Sequence, residues 1–216
     1  MALAKATAVD DTPKRILNAA IRLFARKSFD GTSTKEICDE ARVNSAAIHY
    51  HFESKEGLLR KIIEDFGKSR LDATRATLQP PHSAEEVRVR LQIYLQEVSD
   101  VIAQEPERVQ IIQREAQLLH RRSEDIFHNV FHSMFLTMVE FLTQARKRKL
   151  IAADVDPLFA ATMLFSQISN LTEWDRIARE RAEIAVIHAD FRSKWVKETL
   201  RIFLGGIIRK DQFFKE

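Results

Sequence analysis

The stretch Val43-Asn44-Ser45-Ala46-Ala47-Ile48-His49-Tyr50-His51-Phe52-Glu53-Ser54-Lys55-Glu56-Gly57-Leu58-Leu59 constrains this chain more than any other, through the short helix it opens with. That helix reads as about two turns, opened by small residues and too short to be stable alone in water. Few of its side chains suit a core, so neighbouring helices must hold it while its free face meets something else. Those neighbours are legible on both sides. Thr12-Pro13 opens a first helix, a capping residue followed by proline at the first helical position. Ile16, Leu17, Ala20, Ile21 and Phe24 recur at helical spacing, and the helix is expected to end near Phe29-Asp30-Gly31. Ser33-Thr34-Lys35-Glu36 is a capping box that launches a second helix with Ile37 and Ala41 inward. Arg42-Val43-Asn44 turns the chain, and Asn44 or Ser45 caps the short helix. Glu53-Ser54-Lys55-Glu56 begins a fourth, with Leu58, Leu59, Ile62, Ile63 and Phe66 as its core face. Gln79-Pro80-Pro81 then forces a break.

The remainder is helical too. Five Gly and five Pro in 216 residues are too few for a turn-rich β-sandwich. Further helices are expected from His82-Ser83, from Glu105-Pro106 to near His120-Arg121-Arg122, and from Ser123-Glu124-Asp125 to the basic run Arg146–Lys149. Asp156-Pro157 caps the next, and Asp190 the last, which should end at Gly205-Gly206. The fold class is therefore all-α, with about nine helices. Residues 1–11 read as a flexible tail, 12–58 as a helix-turn-helix domain with its motif over 33–52, and 59–216 as a C-terminal domain. A single cysteine, Cys38, excludes an internal disulfide and fits a reducing compartment. No apolar run approaches the ~18–20 residues that span a bilayer, and Met1 to Thr7 lacks the apolar core of a secretory signal. A cytoplasmic protein is expected. The formal charge of +3 permits nucleic-acid binding without demonstrating it.

Helix, tight turn and helix between Ser33 and Phe52 is the spacing of a helix-turn-helix. In that motif the second helix enters the major groove and meets base edges. Ser45 can bond to either type of base edge, and Ala46 and Ala47 allow close approach to a thymine methyl. His49 and Tyr50 carry polar tips on rigid rings, and Lys55 stands at a helix start where a phosphate oxygen would lie. The segment from about Ile16 to Ile63 resembles the DNA-binding domain of the TetR family of bacterial transcriptional regulators. The resemblance rests on Ile16-Leu17-Asn18-Ala19-Ala20 with Leu23-Phe24, on Ser33-Thr34-Lys35-Glu36-Ile37, and above all on Tyr50-His51-Phe52-Glu53-Ser54-Lys55-Glu56-Gly57-Leu58-Leu59. It implies phosphate contacts from His51 and Lys55, base-facing positions for Ser45, Ala46, Ala47, His49 and Tyr50, and a contact of either kind from Lys35. Asn44, at the head of the helix, is counted with this DNA-contacting set. The family often has tyrosine where His49 stands, and glycine where Arg42 stands because that turn favours a left-handed backbone.

The resemblance also implies a C-terminal dimer that senses a small molecule. Phe127, Val130, Phe131, Met134, Phe135, Met138, Phe141 and Leu142 form one broad apolar stripe, readable as plain core or as the wall of an effector cavity. The cavity candidates are Gln113, Gln117, Phe127, Phe131, His132, Phe135 and Asn170. His128 and His132 share one helix side, but nothing fixes a third metal ligand, so no metal or cofactor is expected. The dimer-interface candidates are Leu158, Ala161, Phe165 and Ile168 on one helix, and Phe191, Trp195 and Ile202 on the other. Paired with twofold mates they would form a four-helix bundle and present two recognition helices to a palindromic site; the alternative is that they close a monomer core. The chain carries no Gly-rich phosphate loop, no Ser-His-Asp or Cys-His spacing and no paired carboxylates set in an apolar segment, so no enzyme is expected. The expected function is a repressor that binds a palindromic operator as a homodimer and is released by a small hydrophobic or amphipathic effector. A helical adaptor that keeps the fold without binding DNA is the alternative.

Overall fold

The computed structural model describes residues 11–118, 122–179 and 188–208. Every regular element among them is helical: α1 (Thr12–Lys27), α2 (Thr34–Ala41), α3 (Ser45–Phe52), α4 (Lys55–Thr77), α5 (Ala84–Gln104), α6 (Pro106–Gln117), α7 (Glu124–Ile126), a π-helical turn (Phe127–Phe131), α8 (His132–Lys147), α9 (Pro157–Arg179) and α10 (Ala189–Ile208). The segment from α7 to α8 is one run of helix interrupted by the π turn, where the sequence reads as a single long helix. The tail over 1–10, His120-Arg121 and the side chains of the charged run from Asp175 to Arg181 lie outside the described residues. No helix among the described residues is long and apolar enough to cross a membrane.

Contacts divide the chain into two compact units, Met1–Gly67 with Glu107–Phe127, and Lys68–Pro106 with His128–Glu216. This division departs from a linear boundary at residue 58. The segment carrying α6 and α7, far along the sequence, packs with the helix-turn-helix.

In the first unit, α1 buries Ile16, Ala19, Ala20, Leu23 and Phe24. Ile37 and Ala41 of α2, Ile48 and Phe52 of α3, and Leu58, Leu59, Ile62 and Ile63 of α4 complete the core. The α1 cap is Asp11 rather than Thr12, because the helix starts one residue earlier than the Thr-Pro pair suggests. The capping box of α2 forms as expected: Glu36 N–H donates to Ser33 Oγ at 3.2 Å, and Ser33 N–H donates to Glu36 Oε2 at 2.8 Å. Lys27 adds an ion pair to Glu36 at 2.5 Å. The hydrogen bond from Lys27, then those from Ser33, hold the Glu36 carboxyl down at about 2. A depressed carboxylate stabilises the fold above its unfolded value and loses that contribution as the pH falls towards its folded value. Glu36→Gln is therefore expected to flatten the part of the acid-unfolding curve between pH 4.5 and about 2, read by circular dichroism. An unaltered acid limb would show that the pair contributes nothing.

In the second unit, α8 packs on α9, and α5 on α9 and α10. Their shared core holds Leu91, Tyr94 and Leu95 of α5, Met138, Phe141 and Leu142 of α8, Ala160, Ala161 and Leu164 of α9, and Val196, Leu200 and Phe203 of α10. Arg192 ties α10 to Asp100 of α5 at 2.8 Å. Local signals fared unevenly. Asp156 caps α9 as expected, its Oδ1 accepting from Leu158 N–H at 2.8 Å and Phe159 N–H at 3.1 Å. Ser123 does not cap α7; its hydroxyl is buried without a described partner. Asp190 lies inside the first turn of α10, and Gly205 and Gly206 lie within that helix instead of ending it.

Candidate nucleic-acid interface

The turn before α3 is built by side chains from distant helices. Asn44 is the N-cap, its Oδ1 accepting from Ala47 N–H at 3.0 Å. Arg42 takes the left-handed backbone expected at the turn, with φ 55° and ψ 50°. Arg15, on α1, donates to the carbonyls of Ala41 and Arg42 and so pins the turn to the core helix.

Held this way, α3 divides cleanly. Ile48 and Phe52 are buried, and Ser45, Ala46, His49 and Tyr50 are exposed. Positions three and four apart share one helix side, so these four make a single outward face. Tyr50 is 84% exposed, far more than a tyrosine with a core role. Ala47 and His51 are half-buried at the border of that face, and the His51 ring meets Tyr50 edge-on at 4.8 Å. His49 Nδ1 lies 2.6 Å from the Glu53 carbonyl oxygen. A carbonyl only accepts, so Nδ1 is the donor and Nε2 is left to other partners. Lys35 is exposed near the start of α2.

Lys55 has an occupation within the domain. Its ammonium donates to the carbonyls of Phe29 at 3.0 Å and Thr32 at 2.7 Å, and sits 4.1 Å from the Phe29 ring centroid. It thereby ties the start of α4 to the turn that follows α1. Lys55→Ala should lower the unfolding free energy by about 2 kcal/mol, since hydrogen bonds to a charged group are lost and their acceptors stranded. Urea melts would show this; an unchanged midpoint with weakened DNA binding would leave the ammonium a phosphate role alone.

Other residues of the first unit were not legible as functional. Arg114 of α6 donates to Phe24 O at 3.0 Å and Ala25 O at 2.6 Å, the carbonyls at the end of α1. Arg60 of α4 grips Asp125 with two bonds, at 2.8 and 2.6 Å. These are ties across long sequence distances, and no local pattern announces them.

The remaining expected residues scatter. Gln117 lines a cavity of about 310 Å³ in the first unit, and Phe127 is buried in that unit. Gln113 and Phe131 are half-buried. In the second unit His132 stacks on Phe135, which meets Phe165 edge-on at 5.3 Å, so two expected cavity residues and one expected interface residue share a cluster. The rings of His128 and His132 stack on each other, and Asn170 is exposed. On α9 and α10, Leu158 is exposed, Phe165, Ile168, Phe191 and Trp195 are half-buried, and Ile202 is 66% exposed. Ala161 is a correction: it is fully buried in the protomer core and has no surface to give a partner. Phe159 at 70% and Met163 at 65% exposure stand outward instead, beside a groove of about 550 Å³ that also takes in Trp195 and Ile202.

Residues 16–62 match the family model described as bacterial regulatory proteins, tetR family. The probable HTH-type transcriptional regulator YttP of Bacillus subtilis is 37% identical over 82 residues, covering 37% of this chain and 40% of that relative. The chain thus matches about two fifths of the length of this curated relative. The likeness to solved structures runs the whole length. The ketosteroid transcriptional regulator KstR2 of Mycobacterium tuberculosis superposes with a TM-score of 0.73 at 21% identity, covering 94% of this chain and 98% of that one. SmeT in complex with triclosan superposes at 0.71 with 19% identity, covering 95% of each chain; SmeT is the repressor of the Stenotrophomonas maltophilia multidrug efflux pump SmeDEF. The family match thus covers the helix-turn-helix over residues 16–62, and the helical fold along most of the chain is the one these solved regulators share.

Proposed function

We propose that this protein is a transcriptional repressor that binds a palindromic operator as a homodimer and is released by a small hydrophobic or amphipathic effector. The observation that carries the reading is the division of α3: two buried anchors, Ile48 and Phe52, behind an outward face of Ser45, Ala46, His49 and Tyr50. Small residues at the head of that face allow close approach to the groove. The two rings that follow supply a hydroxyl and an imidazole nitrogen, polar groups suited to base edges. Lys35, His51 and Lys55 flank the face as candidate phosphate contacts, Lys55 by whatever its ammonium has left after two carbonyls.

The apolar surface of Phe159, Met163 and Ile202 supports a dimer, since contiguous exposed apolar side chains mark interaction sites. A twofold pair would set two α3 helices against two half-sites. An apolar effector fits with the relatives, one a ketosteroid regulator and one bound to triclosan.

Selection from a random duplex pool tests the reading. The protein should enrich an inverted repeat with half-sites about one helical turn, or a multiple, apart. His49→Ala should relax the choice of base at one position of each half-site, and His51→Ala should weaken all sequences alike. Enrichment of no inverted repeat would overturn it.

A further inference from the structure

The cavity of about 310 Å³ in the first unit is walled by the end of α1, the turn after it, and α6. Phe24, Leu59, Ile111 and Leu118 give it an apolar wall, and Glu115 stands among them. Glu115 is only 3% exposed. Its Oε1 lies 3.7 Å from Arg122, a loose pair, and no donor among the described residues reaches Oε2. The two nearby guanidinium groups are engaged elsewhere. Arg122 gives Asp30 two bonds, at 2.7 and 3.0 Å, and lies 4.6 Å from the centroid of the Phe29 ring. Arg114 holds the α1 carbonyls. A buried carboxylate oxygen without a donor is costly to keep, and here it borders an apolar space large enough for a small ligand.

We propose that this cavity binds a small organic cation, an ammonium carried on an aromatic or branched aliphatic body. The ammonium donates to Glu115 Oε2, and the body covers the apolar wall of α1 and α6. The exposed Gln117 amide at the rim offers a second polar contact. The site lies in the unit that bears α3, so an occupant bears on the packing of α6 against α1 without any relay. That consequence rests on the repressor reading; the binding itself does not.

Calorimetric titration of the full chain without DNA, using phenethylamine and its neutral counterpart phenethyl alcohol, tests the proposal. The amine should saturate and the alcohol should bind at least about tenfold more weakly, as a charge-assisted bond is replaced by a neutral one. Glu115→Gln keeps the shape and removes the charge, and should erase the difference between the two probes. Burial pushes the Glu115 carboxyl up, aided by Asp30 and Glu56 and opposed by Arg122. Amine binding should therefore strengthen as the pH rises and the proton leaves. Amide chemical shifts should move between Phe24 and Asp30 and between Ile111 and Leu118. Equal affinity for amine and alcohol, undiminished binding by Glu115→Gln, shifts confined to other residues, or no saturation by phenethylamine up to about 10 mM would each overturn the proposal.

Discussion

Replacing Gly57 by alanine should destabilise the protein by about 3 kcal/mol, at the upper end for an overpacking change, and should abolish specific DNA binding. A Cβ at position 57 would run into the carbonyl oxygen of Phe52, the last residue of α3. That neighbour is backbone, so no rotamer change relieves the clash, and either α4 or the end of α3 must shift. The Gly57 N–H donates to Ser54 Oγ at 2.9 Å, which fixes where α4 begins. The methyl thus strikes the joint that aims the recognition helix. Gly205 is the control. A Cβ there meets nothing within 4 Å, and Gly205→Ala inside α10 should stabilise by about 1 kcal/mol through helix propensity alone. Urea denaturation of the pair would show opposite shifts; a Gly57→Ala midpoint equal to the parent would mean that the α3–α4 joint tolerates displacement.

The second large effect belongs to the surface of α9. Phe159→Glu should weaken dimerisation about a thousandfold, about 4 kcal/mol, because a twofold interface would bury two unpaired carboxylates. The protomer should stay folded, since Phe159 is 70% exposed within it. Ala161→Glu, two residues on, should instead unfold the protomer, because Ala161 is fully enclosed by its core. Sedimentation equilibrium with circular dichroism separates the two outcomes. An unchanged dimer constant for Phe159→Glu would place the interface elsewhere.

The legible parts of the molecule were those written in local chemistry. The Ser33–Glu36 box, the Asn44 cap and the Asp156 cap act over two or three residues, and each stands where its residue types require. The left-handed backbone at Arg42 is the one that the glycine often found there in the resembling family implies, and arginine adopts it without the turn opening. The outward places of Ser45, Ala46, His49 and Tyr50 agree with what the resemblance implies, whereas the inward anchors Ile48 and Phe52 were not singled out by spacing. What escaped was carried by long side chains reaching far along the chain. Arg15 reaches 26 residues to Ala41, and Arg114 reaches 90 back to Phe24. A guanidinium seeking a carbonyl leaves no periodic signal. Lys55 carries a tie of the same kind: beside its place at a helix start, its ammonium meets two carbonyls of the preceding turn, which the spacing does not announce. The π turn at Phe127–Phe131 was illegible because a dense aromatic stripe fits a wider helical period as readily as the usual one. On α9, apolar residues lie on more than one side, so spacing alone did not separate core Ala161 from outward Phe159 and Met163.

The central claim is that the exposed face of α3 reads DNA. Fluorescence-anisotropy titration tests it most directly, using a duplex taken from upstream of the protein's own gene and a scrambled duplex, across about 50–200 mM salt. Log affinity should fall linearly with log salt for both, the upstream duplex should bind more tightly, and Tyr50→Ala should lose that preference while keeping the salt slope. Binding that is absent or indifferent to salt, or a Tyr50→Ala protein that discriminates as well as the parent, would contradict it.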